Sequence, residues 1–121
     1  VSMAEAGQLV ACDYVGIVSG NKVADKFARA GFHAVRSEFV DAPLIEELSV
    51  AVECRLKDYD PGTCILRGEI VNVSVDERVL DEKGKVDASK VAPLIFDPFN
   101  NDYLTVGKKA GKAFSDGKAL K

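Results

Sequence analysis

The stretch SVAVECRLKDYDPGTCILRGEIVNVSV, residues 49–75, decides the fold of this chain. In residues 49–57 every second side chain is apolar, and this period of two predicts a strand with apolar side chains on one face and polar ones on the other. A Tyr-Asp-Pro-Gly turn cluster at 59–62 leads into a longer predicted strand at 63–75. The two strands should pair as an antiparallel hairpin. Gly68, inside the second strand, predicts a β-bulge or a close approach of the backbone.

Two helices are predicted before this hairpin. Residues 3–14 contain good helix formers, with Ser2 as the N-cap and Glu5 at the capping-box position three residues later. Residues 22–30 form a second amphipathic segment, and Gly31 supplies its C-terminal stop. The chain is therefore expected to carry short helices ahead of its strands.

The remaining segments have strand or turn character. Residues 87–91 form one helical turn, Gly84 makes a turn in the charged segment 76–85, and 41–43 is a turn or an extended connection. Further short strands are predicted at residues 34–40, 94–96 and 103–106. Because no linker or repeat divides the chain, we expect residues 1–121 to form one mainly β domain with a few short helices.

Composition excludes several classes of function. The 121 residues are enough for one domain, and contents of 47% apolar and 29% charged residues are ordinary for a globular protein. The 16 basic residues are spread along the chain and outnumbered by 19 acidic ones, which argues against nucleic-acid binding. The sequence contains no run of 18 apolar residues and does not open with a signal segment. We therefore expect no membrane span and no secretion signal.

Cysteine and histidine content limits the chemistry of a site. Cys12, Cys54 and Cys64 form no metal-binding spacing, and their odd number favours a reducing compartment such as the cytoplasm. His33 is the only histidine, so neither a His-rich metal site nor a Ser-His-Asp triad is expected. His33 itself is interpreted as a surface or half-buried residue. The sequence therefore predicts no metal site and no catalytic side chain.

Five segments, in the same order and at similar spacing, resemble flavin reductase-like proteins, a family that includes the flavoredoxins. They are DYVGIVSGNKVADKF at 13–27, GFHAVRSEFVDAPLIEE at 31–47, VECRL at 52–56, RGEIVNVSVDERVLDEKGKVD at 67–87 and YLTVGKKAGKAFSDG at 103–117. The resemblance implies an FMN-binding split β-barrel that forms a homodimer, with FMN at the subunit interface. It also implies an FMN-dependent oxidoreductase that takes electrons from NAD(P)H or exchanges them with a redox partner protein.

The chain departs from this family at its beginning. Family members carry a further stretch of chain before the position of Val1, and that stretch supplies the first barrel strands and much of the flavin pocket. The resemblance therefore predicts a split barrel that lacks its N-terminal strands and has open edges, which invite pairing with another chain. One alternative is that the strands belong to a longer native protein, and another is that a dimer closes the sheet. The alternative function is a truncated module with a structural or dimerisation role and no flavin.

The segment Ser19-Gly20-Asn21-Lys22 is the first candidate for cofactor binding. It precedes the helix predicted at 22–30, and the free N–H groups at a helix N-terminus suit a phosphate. Lys22, with Lys26, would add charge-assisted hydrogen bonds. The alternative is that Ser19 only caps the helix and that the lysines are solvated. The resemblance favours phosphate binding by Lys22.

Cys64 and Tyr103 complete the predicted cofactor site. The family resemblance places a histidine facing the flavin near the start of the long strand, where this chain has Thr63 and Cys64 instead. The alternative for Cys64 is a small buried hydrophobic residue. Tyr103 is predicted to stack on the flavin ring and exclude water, and its alternative is a core or interface tyrosine. Phe96 and Phe99 carry the same two interpretations.

Overall fold

The computed structural model describes residues 1–120 and shows a mainly β fold with few short helices, as the sequence predicts. In this part of the chain the α-helices are α1 (Leu9–Ile17), α2 (Lys26–Arg29) and α3 (Ala88–Val91). The strands are β1 (Ala34–Arg36), β2 (Pro43–Ile45), β3 (Val50–Asp60), β4 (Ile65–Val75), β5 (Leu94–Asp97) and β6 (Asp102–Thr105). Short 3-10 turns lie at Ala6–Gln8, Glu77–Val79 and Asp116–Leu120. Consecutive strands pair as the antiparallel hairpins β1–β2, β3–β4 and β5–β6.

The β3–β4 hairpin is the longest element, and it confirms the pairing predicted from the alternation. Its register shifts twice, between Glu53 and Cys54 and between Leu56 and Asp58. Gly68 lies opposite Leu56, next to the second shift. A Cβ atom at Gly68 would lie only 3.1 Å from the Cβ of Cys54. The close backbone approach predicted at this glycine is therefore confirmed.

The first residues of the chain lie along the outer edge of β3. Ser2 bridges Ala51 in antiparallel fashion. The amide of Val52 donates a hydrogen bond of 2.7 Å to the carbonyl oxygen of Val1. The N-terminal stretch therefore extends the hairpin on one side, over the first few residues of β3.

The start of the first predicted helix is wrong. Ser2 does not cap a helix, and α1 begins only at Leu9, after a 3-10 turn. The Glu5 carboxylate accepts a hydrogen bond from the amide of Ser49 instead of closing a capping box. The backbone of Ser2 pairs with β3 and the Glu5 carboxylate binds Ser49, so neither group is available to cap a helix at residue 2. The helical part of the 3–14 segment therefore starts later.

The second helix, predicted over 22–30, is wrong in length. Only the four residues of α2 are helical. Before it, the amides of Lys22 and Val23 both donate to the carbonyl oxygen of Ser19, at 3.1 and 3.0 Å, and make a turn. A helix this short gains little from propensity, so the hydrogen bonds of the turn decide the local geometry. Gly31, with φ of +77°, ends the segment as predicted.

The shorter predicted elements are confirmed with changed bounds. The strand predicted at 34–40 ends at Arg36, because the chain turns at Ser37. The hydroxyl group of Ser37 accepts hydrogen bonds of 3.1 and 3.0 Å from two amides of that turn. Pro43 already belongs to β2, so the 41–43 connection is partly extended. The helical turn at 87–91 and the last two strands agree with α3, β5 and β6.

The core is small and lies at the start of β3. Val50, Val79 and Val91 are buried and pack together, with Val75 against them. Apolar side chains further along the hairpin are left in solvent: Leu56 and Ile70 are 61% and 63% exposed. The core therefore covers one end of the hairpin, and nothing in residues 1–120 covers the apolar face of the other end.

The polar side of β3 is also buried at this end. Ser49 and Glu53, which alternate with the apolar residues, are only 4% and 3% exposed. The turn after β1 approaches this side, because the hydroxyl group of Ser37 donates a hydrogen bond to the Glu53 carboxylate. Both faces of β3 are thus covered near its start, a pattern that the alternation alone does not reveal.

Candidate functional site

The turn at residues 19–22 follows directly after α1. Its backbone is fixed by the two amide hydrogen bonds to the Ser19 carbonyl, and the Asn21 amide also donates to the Ser19 hydroxyl oxygen at 3.3 Å. All four residues of the turn, including Gly20, are exposed. Within residues 1–120 the ammonium group of Lys22 makes no hydrogen bond or ion pair. The turn therefore presents an unpartnered cation to solvent.

Lys26 has a different role from the one predicted. Its Nζ donates hydrogen bonds of 2.9 Å to the carbonyl oxygens of Val15 and Val18, at the C-terminal end of α1. A cation is favourable at that end of a helix, where carbonyl groups lack helical partners. Lys26 also begins α2, so the 19–22 turn is not at a helix N-terminus as predicted. Lys26 stabilises the end of α1 and is not free to bind a phosphate.

Tyr103 in β6 is bound to α1 through its phenol group. The phenolic O–H donates a hydrogen bond of 2.8 Å to Oδ1 of Asp13, and this bond to a carboxylate raises the pKa of Tyr103. Its ring lies against Phe96 of β5, with ring centroids 5.9 Å apart and planes tilted by 55°. Tyr103 and Phe96 are 41% and 55% exposed, whereas Phe99 in the β5–β6 turn is 92% exposed. The pair forms an accessible aromatic face that a hydrogen bond holds in place.

Cys64 lies in the tight turn between β3 and β4. The Asp60 carboxylate accepts hydrogen bonds from the Gly62 amide at 2.8 Å and the Thr63 hydroxyl at 2.7 Å. Cys64 then takes a left-handed backbone conformation with φ of 58°, and its side chain is exposed. Its interpretation as a buried hydrophobic residue is therefore wrong, because the turn directs this position into solvent.

Helix α1 connects two of the three predicted parts of the site. Asp13, within the helix, holds Tyr103, and the 19–22 turn begins two residues after Ile17. A rise of about 1.5 Å per residue places Asp13 about 6 Å along the helix from Ile17. Within the described chain no hydrogen bond joins Cys64 to α1. Asp13 was not predicted as a site residue, because no local pattern links it to a tyrosine 90 positions away.

Comparison with known proteins identifies the family. The family model described as a flavin reductase like domain matches residues 1–101. The chain belongs to the flavin reductase-like family. The match covers four of the five sequence segments and confirms the family resemblance, and the fifth segment, at 103–117, lies beyond it. The split β-barrel that the resemblance implies agrees with the solved structures of similar proteins.

Flavoredoxins are among the similar solved structures. The flavoredoxin of Desulfovibrio vulgaris (Miyazaki F) is 40% identical, with a TM-score of 0.87 over 96% of this chain and 62% of its own. The flavoredoxin from Methanosarcina acetivorans is 33% identical, with a TM-score of 0.85 over 99% of this chain and 63% of its own. An FMN-binding domain of a flavin reductase-like enzyme from Shewanella baltica OS155 shares the fold, with a TM-score of 0.76 at 17% identity over 92% of this chain and 61% of its own.

The chain is shorter than these relatives. It spans 62% and 63% of the lengths of the two flavoredoxins, which is less than two thirds in each case. An uncharacterized protein of Aquifex aeolicus (strain VF5) is 35% identical over 72 residues, which make up 58% of this chain and 37% of the relative. Among residues 1–120, no helix is both long enough and apolar enough to cross a membrane.

Proposed function

We propose that this chain is the flavin-binding part of an FMN-dependent oxidoreductase that moves electrons between NAD(P)H or a redox partner protein and the flavin. Family membership and the two flavoredoxin structures support this function. A structural neighbour named as an FMN-binding domain supports FMN as the flavin. The observation that carries the proposal is that α1 connects the two parts of the site. Asp13 in this helix binds Tyr103 of the Tyr103–Phe96 face, and the turn that holds the unpartnered Lys22 follows the end of the helix.

The residues of the proposed site divide into two groups. The turn Ser19-Gly20-Asn21 and the ammonium of Lys22 would bind the phosphate, and each charge-assisted hydrogen bond contributes about 1.5 to 3 kcal/mol when well formed. Tyr103 would lie against the isoalloxazine ring and exclude water from that face. When bound, FMN would supply the redox chemistry, and these residues would supply binding and orientation without a nucleophile.

Cys64 is the least connected member of the proposed site. It is exposed at the tip of the β3–β4 hairpin, so a cofactor or a second subunit can reach its side chain.

A homodimer with the flavin at its interface is the assembly we propose, supported by the exposed Leu56 and Ile70 on the same hairpin. The free thiols of Cys12, Cys54 and Cys64 favour a reducing compartment, and we propose the cytoplasm.

Titration of the purified chain with FMN tests the proposal. We expect the flavin fluorescence to be quenched and the yellow colour to remain after desalting. Lys22→Met should weaken binding about tenfold or more, because it removes a charge-assisted phosphate contact. Tyr103→Ala should weaken binding, whereas Tyr103→Phe should retain most of it, because the ring remains.

The matched control for Lys22→Met is Lys83→Met. Lys83 is also exposed, lies in the charged 76–85 segment, and its ammonium group makes no hydrogen bond or ion pair within residues 1–120. Equal FMN affinity in both lysine variants would argue against a phosphate site at the 19–22 turn. A folded chain that retains no FMN would contradict the proposed function for these residues.

A second candidate function is a split-barrel module that binds no flavin and acts in dimerisation. The specific observation in its favour is the apolar face of the hairpin, where Leu56, Ile70 and Leu66 are each more than half exposed. An apolar patch of this kind is typical of an interaction surface. A colourless chain that is dimeric by light scattering, and that becomes monomeric on Leu66→Glu, would favour this function over flavin binding.

A further inference from the structure

The two ends of the β1–β2 hairpin bring His33, Glu46 and Glu47 together. His33 directly precedes β1, and the two glutamates directly follow β2. One ring nitrogen of His33 and one carboxylate oxygen of each glutamate all lie within 4.8 Å of one another. Nδ1 of His33 and Oε1 of Glu47 are 2.5 Å apart. The sequence contains a single histidine and therefore predicted no metal site. The fold places two carboxylates beside that histidine.

Backbone hydrogen bonds hold the three residues relative to one another. The amide of Glu46 donates to the carbonyl oxygen of His33 at 3.0 Å, which extends the β1–β2 pairing by one step. The amide of His33 donates to Oε2 of Glu47 at 2.9 Å. The His33 side chain is 73% exposed and that of Glu47 is 21% exposed. The backbone is therefore fixed, while the His33 ring remains accessible to a solute from solvent.

The surroundings of this cluster favour a cation. A shallow cavity of about 470 Å³ opens beside it and is also lined by Asp76 and Arg78. Arg78 is already paired with Asp76, since its Nη2 lies 2.9 Å from Oδ2. The carboxylates of Glu46 and Glu47 are therefore not neutralised by this arginine. Two neighbouring carboxylates attract a divalent ion more strongly than they attract a side chain with a single positive charge.

We propose that His33, Glu46 and Glu47 form a surface site for a divalent transition-metal ion of the zinc class. One imidazole nitrogen and two carboxylate oxygens are ligands that Zn²⁺ accepts, at about 2.0 to 2.2 Å. Three protein ligands leave the fourth tetrahedral position to water. On binding, the ion replaces the hydrogen bond between His33 and Glu47, and the proton shared by the two atoms passes to solvent.

A bound ion would join the two ends of the hairpin more firmly than one hydrogen bond. His33 lies on the chain that enters β1 and Glu46 on the chain that leaves β2, so coordination closes the hairpin at its open end. Because the ion binds only the folded arrangement, it stabilises the folded state by an amount that grows with the logarithm of its free concentration once that concentration exceeds the dissociation constant. The midpoint of thermal unfolding should therefore rise with added Zn²⁺.

Isothermal titration calorimetry of the whole chain with Zn²⁺ tests the site. All variants carry Cys64→Ser, because an exposed thiol also binds zinc. We expect one Zn²⁺ per chain, and a loss of about tenfold or more in affinity for each of His33→Gln, Glu46→Gln and Glu47→Gln. Glu82→Gln is the matched control, since it removes the same charge from the exposed 76–85 segment and should leave the affinity unchanged.

Nuclear magnetic resonance spectra of each variant locate the ion and check the fold. Zn²⁺ should shift the amide signals of His33, Glu46 and Glu47 in the Cys64→Ser chain, and leave those near Cys12 and Cys54 in place. The proposal would be overturned by a folded parent chain that binds no Zn²⁺. It would also be overturned if folded histidine and glutamate variants bound the ion as tightly as the Glu82→Gln control.

Discussion

The hydroxyl group of Ser37 donates a hydrogen bond to the carboxylate of Glu53, 16 residues further along the chain. Ser74 and Asn72, on the neighbouring strand β4, donate to the other carboxylate oxygen. The Glu53 side chain therefore connects the turn after β1 with both long strands. These donors hold the pKa of Glu53 below its ordinary value, because they stabilise the charged carboxylate.

This network predicts an acid-sensitive contribution to stability. The folded state binds the Glu53 proton less tightly than the unfolded state does, since the folded pKa is the lower one. The contribution is therefore present above the unfolded pKa and is lost as the pH falls through the folded pKa. Glu53→Gln should lower the midpoint of thermal unfolding at neutral pH and flatten its decline in acid. Unfolding curves recorded from about pH 7 down to about pH 3 check both effects.

The control for this substitution is Glu82→Gln, which removes a charge from an exposed position. We expect it to leave the unfolding midpoint nearly unchanged at neutral pH. If Glu53→Gln and the parent chain lose stability in parallel on acidification, the ionised carboxylate of Glu53 is not the source of the acid-sensitive stability.

Two lysines four residues apart should respond in opposite ways to the same substitution. Lys26→Met removes two hydrogen bonds to carbonyl groups at the end of α1, so the free energy of unfolding should fall by about 1 to 2 kcal/mol. Lys22→Met removes no contact within the described chain and should leave stability unchanged while weakening FMN binding. Urea unfolding and FMN titration of both variants separate the two roles. A destabilised Lys22→Met with normal FMN binding would contradict this assignment.

Gly68→Ala should destabilise the central hairpin. The new Cβ would lie 3.1 Å from the Cβ of Cys54 and 3.6 Å from the carbonyl oxygen of Arg55, so β3 or β4 must move. Because Gly68 is exposed, we expect this overpacking to cost about 1 kcal/mol of unfolding free energy, the low end of the range for overpacked sites, measured by urea denaturation. Gly107→Ala is the control, because nothing lies within 4 Å of the added atom. Equal stability of the two variants would mean that the strands at Gly68 adjust freely.

Asp13→Asn should alter the titration of Tyr103. In the folded chain the Asp13 carboxylate accepts the phenolic hydrogen bond and raises the pKa of Tyr103. This contact contributes stability below the unfolded pKa of the tyrosine, and the contribution is lost as the pH rises through the folded pKa. Ultraviolet titration should show one phenol ionising at lower pH in Asp13→Asn, and Tyr103→Phe should remove that phenol from the curve. An unchanged titration would contradict the Tyr103–Asp13 contact.

The sequence predicts most of the hairpin framework, because alternation and turn chemistry are local signals. The β3–β4 pairing follows from the period of two, and the tight contact at Gly68 follows from a glycine inside a strand. The ordered segments that resemble flavin reductase-like proteins identify the family for the same reason. Each of these inferences depends on residues that are close together in the chain.

The site is less predictable, since it depends on contacts between distant residues. Lys22 and Lys26 look alike in the sequence, and only the position of the end of α1 shows that Lys26 is already bound. The burial of Glu53 depends on a turn formed by residues 37–42, which no strand pattern places above β3. The exposure of Cys64 depends on its left-handed backbone conformation, which the apolar residues around it in the sequence do not indicate.

The hydrogen bond from Val52 to Val1 divides the outer edge of β3 into two parts with different access to solvent deuterium. The Val52 amide is shielded by its partner, whereas beyond Val52 that edge has no backbone partner within residues 1–120. Outward-pointing amides there are open to isotope exchange without any unfolding of the hairpin. One continuous strand should therefore contain slowly and rapidly exchanging amides, and the boundary between them marks where the edge becomes free to take up another strand.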